Sequence, residues 1–226
     1  MKLNLKRLKK DEILWLASHK CRHGHYFIEH LNCFLIENPQ SSPLYEHIGI
    51  LDIETTGLKG DYGFILSYAI KELDGKVIGR VLAPQEIREG KFDEQLLREC
   101  VVNMRKFDKL ITYYGGDFRF DVPTIRTRAI KYKIDFPLFK EIKVVDLYSI
   151  VKKKLNLHNR RLGTVCSFFD IESKEHKMNP DIWSGAISGN KKALKWIWTH
   201  NIEDCISTEK LYKRIIDYVG AQNQSI

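Results

Sequence analysis

The stretch Ile48 to Glu54, IGILDIE, constrains what this chain can fold into more than any other. In a strand, side chains two apart point the same way, so Ile48, Ile50, Asp52 and Glu54 share one face while Leu51 and Ile53 fill the other. A strand that is apolar on both faces belongs inside a sheet covered on each side. Two carboxylates at the end of such a strand repel each other and are costly to bury unpaired. A divalent cation resolves the conflict: Mg²⁺ and Mn²⁺ take carboxylate oxygens, and Thr55, Thr56 and Gly57 form a polar turn where a ligand can enter. The alternative is an edge strand whose acids face water.

Further along, apolar β-rich runs at 46 to 54, 63 to 71 and 76 to 82, punctuated by Gly60, Gly63 and the Asp74-Gly75 turn, predict three antiparallel strands joined as hairpins. A helix near 93 to 106, a strand at 109 to 114, a helix at 122 to 133 and a strand at 141 to 146 follow, then helices to the end. The alternation predicts an α/β fold in which a mixed sheet, antiparallel first and then parallel, is flanked by helices. The last helix, near 190 to 219, carries Leu194, Ile197, Trp198, Cys205, Ile206, Tyr212, Ile215, Ile216 and Val219 on one stripe. His200 and Asp204 lie at its margin, one turn apart, and project beside the sheet. The segment NPQSSP at 38 to 43 reads as a linker, so a Cys/His-rich segment at 1 to 45 is expected to precede a domain at 46 to 226.

The chain carries a formal charge of +8, and its excess is local. Between Arg126 and Arg161, eleven Lys or Arg face three acids, which suits a phosphate backbone bound through counterion release. No segment reaches the roughly 18 apolar residues of a membrane span. The N-terminus lacks both the apolar run and the cleavage site of a secretory signal, so a cytoplasmic protein is expected. Cysteines at 21, 33, 100, 166 and 205, an odd number, fit reduced thiols better than a disulfide framework.

Two further features align with the acidic strand. In YYGGDFRFDVP at 113 to 123, a strand ends at two glycines and Asp121 stands at the start of a helix, where capping is its other reading. Asp117 and Asp146 are rival carboxylates. LDIETTGL at 51 to 58, the Tyr-Gly loop leading to Phe120-Asp121-Val122-Pro123, and HNIEDCIST at 200 to 208 resemble, in order and spacing, the three motifs of DEDD-type 3′ to 5′ exonucleases of the ribonuclease H-like superfamily. The nearest likeness is to the predicted ribonuclease H-like exonuclease family of bacteria and archaea, related to the proofreading domains of family B polymerases, and it spans about 46 to 219. It implies a ribonuclease H-like sheet and a two-metal phosphodiester hydrolase acting on single-stranded DNA or RNA ends. Asp52, Glu54, Asp121 and Asp204 would hold two Mg²⁺ or Mn²⁺ ions, and His200 would position or deprotonate the water. The family places a Tyr four residues before the last Asp or a His five before it, whereas here His200 is four before and Thr199 five before. Gly116 stands where the polymerase-like pattern has Asn. An endonuclease of the same fold and an inactive nucleic-acid-binding module are the rival readings.

CRHGHYFIEHLNC at 21 to 33 holds two Cys and three His. The reading C-x₃-H-x₄-H-x₂-C makes Cys21, His25, His30 and Cys33 candidate ligands of a structural Zn²⁺, with His23 as the alternate. The other reading packs the cysteines as small hydrophobes with the histidines in solvent. With the Lys-rich segment before it, this part is a candidate contact for nucleic acid or a protein partner.

Overall fold

The structure, a computed structural model, describes residues 8, 10–37, 46–172, 176, 178–219 and 224–225. The expected linker at 38 to 43 lies outside the described residues. The chain divides into two units, Met1–Glu46 and His47–Ile226.

In the first unit, helix α1 (Lys10–Ser18) leads into a tight turn closed by an antiparallel bridge between Lys20 and Tyr26, and helix α2 (Leu31–Glu37) follows. The core is small. Leu16, Cys21, Phe27, Cys33 and Phe34 are buried together, with the Trp15 ring stacked on Phe27.

The second unit is built on strand β1 (Ile48–Thr55), β2 (Ile65–Glu72), β3 (Val77–Val81), helix α3 (Pro84–Arg88), α4 (Glu94–Met104), β4 (Lys109–Thr112), α5 (Asp121–Lys131), β5 (Lys143–Asp146), α6 (Leu147–Lys154), α7 (Leu162–Phe168), α8 (Pro180–Ile187), α9 (Lys191–Val219) and the two-residue β6 (Gln224–Ser225). The sheet order is β3-β2-β1-β4-β5-β6. β3, β2 and β1 are antiparallel neighbours, β1, β4 and β5 run parallel, and β6 closes the edge antiparallel to β5. The expected antiparallel-then-parallel sheet is therefore present, and the Asp74-Gly75 turn between β2 and β3 has its Gly75 N–H bonded to Glu72 O at 2.9 Å.

Burial explains why β1 is central. Leu51 and Ile53 pack with Leu96, Leu97 and Met104 of α4 and with Val122 and Ile125 of α5. On the opposite face, Ile48 and Ile50 pack with Ile150 of α6, Val165 of α7 and Cys205, Leu211 and Ile215 of α9. Each such side chain contributes about 1.5–3 kcal/mol when fully buried, so the doubly covered strand cannot be exchanged for an edge position. The edge-strand alternative is excluded. Along β1 burial is continuous from Ile48 to Leu51 and breaks only at Asp52 and Glu54. β4 pairs with β1 no further than Ile50, and the ladder to β2 shifts register between Glu54 and Thr55. The acidic end of β1 thus emerges where its neighbours stop, which is how a sheet frees side chains for a site. All five cysteines are buried and none is in a disulfide, and among the described residues no helix is long and apolar enough to cross a membrane.

Candidate functional site

Four acids meet at the end of β1, supplied by β1, α5 and α9. Asp121 opens α5 with 4% of its surface exposed. The helix is capped by the backbone of Phe120 with no side-chain cap bond, so Asp121 is free of the capping role that its position suggests. That role belongs to Asp146, which caps α6 by accepting from Tyr148 N at 3.2 Å and Ser149 Oγ at 2.7 Å. The other rival, Asp117, is ion-paired with Arg126.

Asp121 Oδ2 is buried without a hydrogen-bond partner. Burial first, then the charges of Asp52, Glu54 and Asp146, push this carboxyl well above the usual carboxylate range. Its neighbour Gly115 explains how the group is seated. A Cβ at Gly115 would lie 2.1 Å from Asp121 Oδ2 and 2.6 Å from its Cγ, so only glycine lets the loop pass here. Gly115→Ala is expected to displace the carboxylate by about 1 Å and reduce turnover by roughly 10²-fold while leaving the thermal midpoint near wild type. Initial rates beside a melting curve check both halves.

Glu54, His200 and Asp204 offer ligand atoms within 4.8 Å of one another. His200 Nε2 is 3.6 Å from Glu54 Oε1 and 3.7 Å from Asp204 Oδ2. Its Nδ1 donates to the carbonyl of His176, which fixes that nitrogen as the protonated one and turns Nε2 toward the acids. Asp52 is held from α9 as well: Asn201 Nδ2 donates to Asp52 Oδ2 at 2.5 Å, and Asn201 Oδ1 accepts from Ser67 Oγ of β2 at 3.2 Å.

Asn201 is the residue that sequence reading missed. Its signal was there, since Leu194, Ile197, Asn201 and Cys205 continue one helical stripe and a polar residue in a core register asks for a buried partner. One member of the expected basic surface is corrected. Arg128 is 3% exposed and bonds Asp93, Gly60 O and Gly63 O, so it cannot meet a phosphate backbone.

The acids fit divalent cations by their chemistry: three oxygen-bearing elements converge, the buried Asp121 Oδ2 lacks a donor, and like charges oppose one another. Asp52, Glu54, Asp121 and Asp204 are the residues able to hold them.

In the first unit, ligand atoms of Cys21, His23, His30 and Cys33 lie within 4.8 Å of one another. His23, the alternate, occupies the place assigned to His25. Cys21 N–H bonds the His25 carbonyl at 2.9 Å, which spends that backbone on the turn, and the His25 ring lies edge-on to His30 at 4.9 Å. Gly24, at φ +83, carries the reversal. Cys21 Sγ is 3.5 Å from His30 Nδ1 and 3.9 Å from His23 Nδ1, and His23 Nδ1 is 3.1 Å from Cys33 Sγ. Tetrahedral zinc with ordinary Zn–S and Zn–N bonds separates sulfur from nitrogen by about 3.5 Å, which these values bracket. Desolvation raises the Cys21 thiol, but hydrogen bonds from His30 and from the His23 and His25 backbone outweigh it and bring the pKa down to about 6. Desolvation and the adjacent Cys21 push Cys33 up.

The sequence profile of the RNase H superfamily matches residues 50–216. Among solved structures, the chain is similar to the family B DNA polymerase from the hyperthermophilic archaeon Pyrobaculum calidifontis, at 18% identity and a TM-score of 0.61 over 77% of this chain. The chain spans 25% of that polymerase's length, and the likeness speaks to the fold alone. A nuclease solved in its apo form aligns at 14% identity and a TM-score of 0.48, over 76% of this chain and 75% of the nuclease. No curated protein sequence matches.

Proposed function

The chain belongs to the RNase H superfamily, and from that premise we propose that it is a metal-dependent 3′ to 5′ exonuclease acting on single-stranded DNA or RNA ends. The observation that carries this reading is the convergence of Asp52, Glu54, Asp121 and Asp204 from three elements, with a buried Asp121 oxygen that lacks a donor. Two bound Mg²⁺ or Mn²⁺ ions would supply an activated water and neutralise charge developing on the scissile phosphate. The chain's own residues do the rest. Asn201 fixes the rotamer of Asp52, and Gly115 lets Asp121 sit at full depth. His200 turns its Nε2 toward Glu54 and Asp204, which places it to take a proton from the attacking water; the imidazolium that results is balanced by the two carboxylates. The water oxygen bonds to phosphorus, and the 3′ oxygen leaves with its electron pair and collects a proton from solvent.

The test is hydrolysis of end-labelled single strands with Mg²⁺ or Mn²⁺, beside a circular strand of the same sequence. Release of mononucleotides from the 3′ end and an intact circle support the reading; cleavage of the circle makes the protein an endonuclease, and binding without cleavage makes it a binding module. His200→Gln is expected to lower kcat by about 10²-fold with little change in KM, as loss of a general base does. An unchanged kcat would remove His200 from the chemistry.

The Cys21, His23, His30 and Cys33 cluster supports a structural Zn²⁺ in the first unit, whose few buried side chains are too small a core to hold it alone. Full-length protein purified without a histidine tag is expected to carry about one equivalent of zinc by elemental analysis. His23→Ala and Cys33→Ser should lose it and His25→Ala should keep it. Less than about half an equivalent in the wild type, or loss in His25→Ala alone, overturns the assignment.

A further inference from the structure

The loop from β4 to α5 carries a second built feature next to the acids. A cavity of about 490 Å³ is lined chiefly by Tyr113, Tyr114, Tyr148, His158, Arg160 and Arg161, and none of its lining residues is acidic. Tyr114 stands at φ +65, a conformation that aromatic residues rarely adopt. Its N–H donates to Asp146 Oδ1 at 2.8 Å, which holds the backbone there. Strain of this kind persists where the surroundings enforce it and clusters at functional positions. Tyr114 is 48% exposed, and its ring meets Tyr148 edge-on at 4.8 Å. The Arg119 guanidinium lies 5.5 Å from the Tyr114 ring and 5.3 Å from the Tyr148 ring.

Arg160 completes the wall. Its carbonyl accepts from Tyr113 Oη at 2.5 Å, which anchors the 158–161 segment to β4's end, while its Nε is buried with no hydrogen-bond partner. Arg161 beside it is exposed. Aromatic faces next to guanidinium groups, one of them carrying an unmet buried donor, suit a flat π system attached to an anion. The position narrows the choice. Tyr114 is bonded to Gly115, which touches the Asp121 carboxylate, so the cavity opens one residue from the proposed catalytic acid.

We propose that this cavity receives one unpaired nucleotide of the substrate strand, its base stacking on the Tyr114 ring with Tyr148, which stands at 88° to that ring, along its edge, and its phosphate meeting Arg160 and Arg161. A base within a duplex is already stacked and paired and cannot enter, so the cavity selects single strands. The assignment deepens the nuclease reading and rests on it for the identity of the strand.

The experiment measures binding of fluorescent single-stranded oligonucleotides by anisotropy, with full-length protein freed of Mg²⁺ and Mn²⁺ by desalting and with no chelator, so that nothing is cleaved and the first unit keeps its zinc. Tyr114→Ala is expected to weaken binding by roughly tenfold, the loss typical of one stacked base, and Tyr114→Phe to restore it. A strand with one abasic residue, scanned along the sequence, should bind tenfold more weakly at a single position, and Tyr114→Ala should cost nothing further with that strand. Arg161→Gln should lower the slope of log K against log salt by about one phosphate contact. Equal affinity of wild type and Tyr114→Ala for the intact strand, with both folded, overturns the proposal, as does an abasic scan with no sensitive position. The two readings fail separately: Tyr114-dependent binding without hydrolysis in Mg²⁺ or Mn²⁺ sinks only the nuclease, and hydrolysis indifferent to Tyr114 sinks only the cavity.

Discussion

Asp52→Ala is expected to lower kcat on a single-stranded oligonucleotide by on the order of 10³-fold with the fold intact, because it removes a charge preorganised for the transition state rather than a packing element. Asp52 stands in the break of the β1 burial pattern, and its carboxylate is one of the charges that push Asp121 upward. Removing it relieves repulsion inside the acid cluster but leaves the buried Asn201 Nδ2 without its acceptor, so the two effects offset and the thermal midpoint without added metal should stay near wild type. The contrast makes the result diagnostic: rate falls steeply, stability does not. Asn201→Ala, which leaves all four acids in place but frees Asp52 from its tether, should show the same pattern at a smaller amplitude, about 10-fold to 100-fold in rate. Activity of Asp52→Ala within about tenfold of wild type would reject the cation-binding role of the cluster.

Arg128→Met should have the largest effect on stability. Asp93, wholly buried, accepts from Arg128 Nε, from Arg128 Nη2 at 2.5 Å, from Tyr132 Oη at 3.1 Å and from the Ile65 backbone at 2.8 Å. Arg128 Nη1 also donates to the carbonyls of Gly60, at 2.9 Å, and Gly63. Through these bonds one guanidinium fixes the segment that leaves Glu54 and returns as β2. Its loss strands a buried carboxylate and two carbonyls, and breaking a buried pair in this way costs about 3–5 kcal/mol. Urea denaturation at fixed pH should show the drop in midpoint with an unchanged slope. The double substitution Asp93→Leu with Arg128→Met should recover part of the loss, since no charge is then left unpaired. A single-variant loss below about 1 kcal/mol would mean that water satisfies Asp93 after all.

The acidic strand was legible because it is local. Period-two alternation sets the faces of β1 whatever the rest of the chain does, and the doubly apolar run already demanded cover on both sides. The long helix was legible for the same reason, and so was the turn at Asp74-Gly75. Short helices such as α3, α6, α7 and α8 were not resolved singly, since a segment of five to eight residues carries too little periodicity to show its bounds. Arg128 was misread for a related reason: composition counts a guanidinium as surface charge and cannot see that Asp93, 35 residues earlier, is buried opposite it.

Sequence by itself determined the order of the five main strands and the three longest helices and the mixed sheet, because strand alternation and helical stripes are properties of neighbouring residues; it also supplied the candidate acids. Only the tertiary structure decided which groups do what among them. Asp146 rather than Asp121 became the helix cap, and His200 turned its Nε2 to Glu54 because a carbonyl 24 residues away took its Nδ1. Asn201 reached Asp52 across 149 residues, and His23 rather than His25 joined the cysteines. Each of these turns on where a hydrogen-bonding group far along the chain, or the reversal at a single glycine, comes to rest. Spacing constrains such choices but does not make them, since a side chain takes the partner that packing brings within about 3 Å.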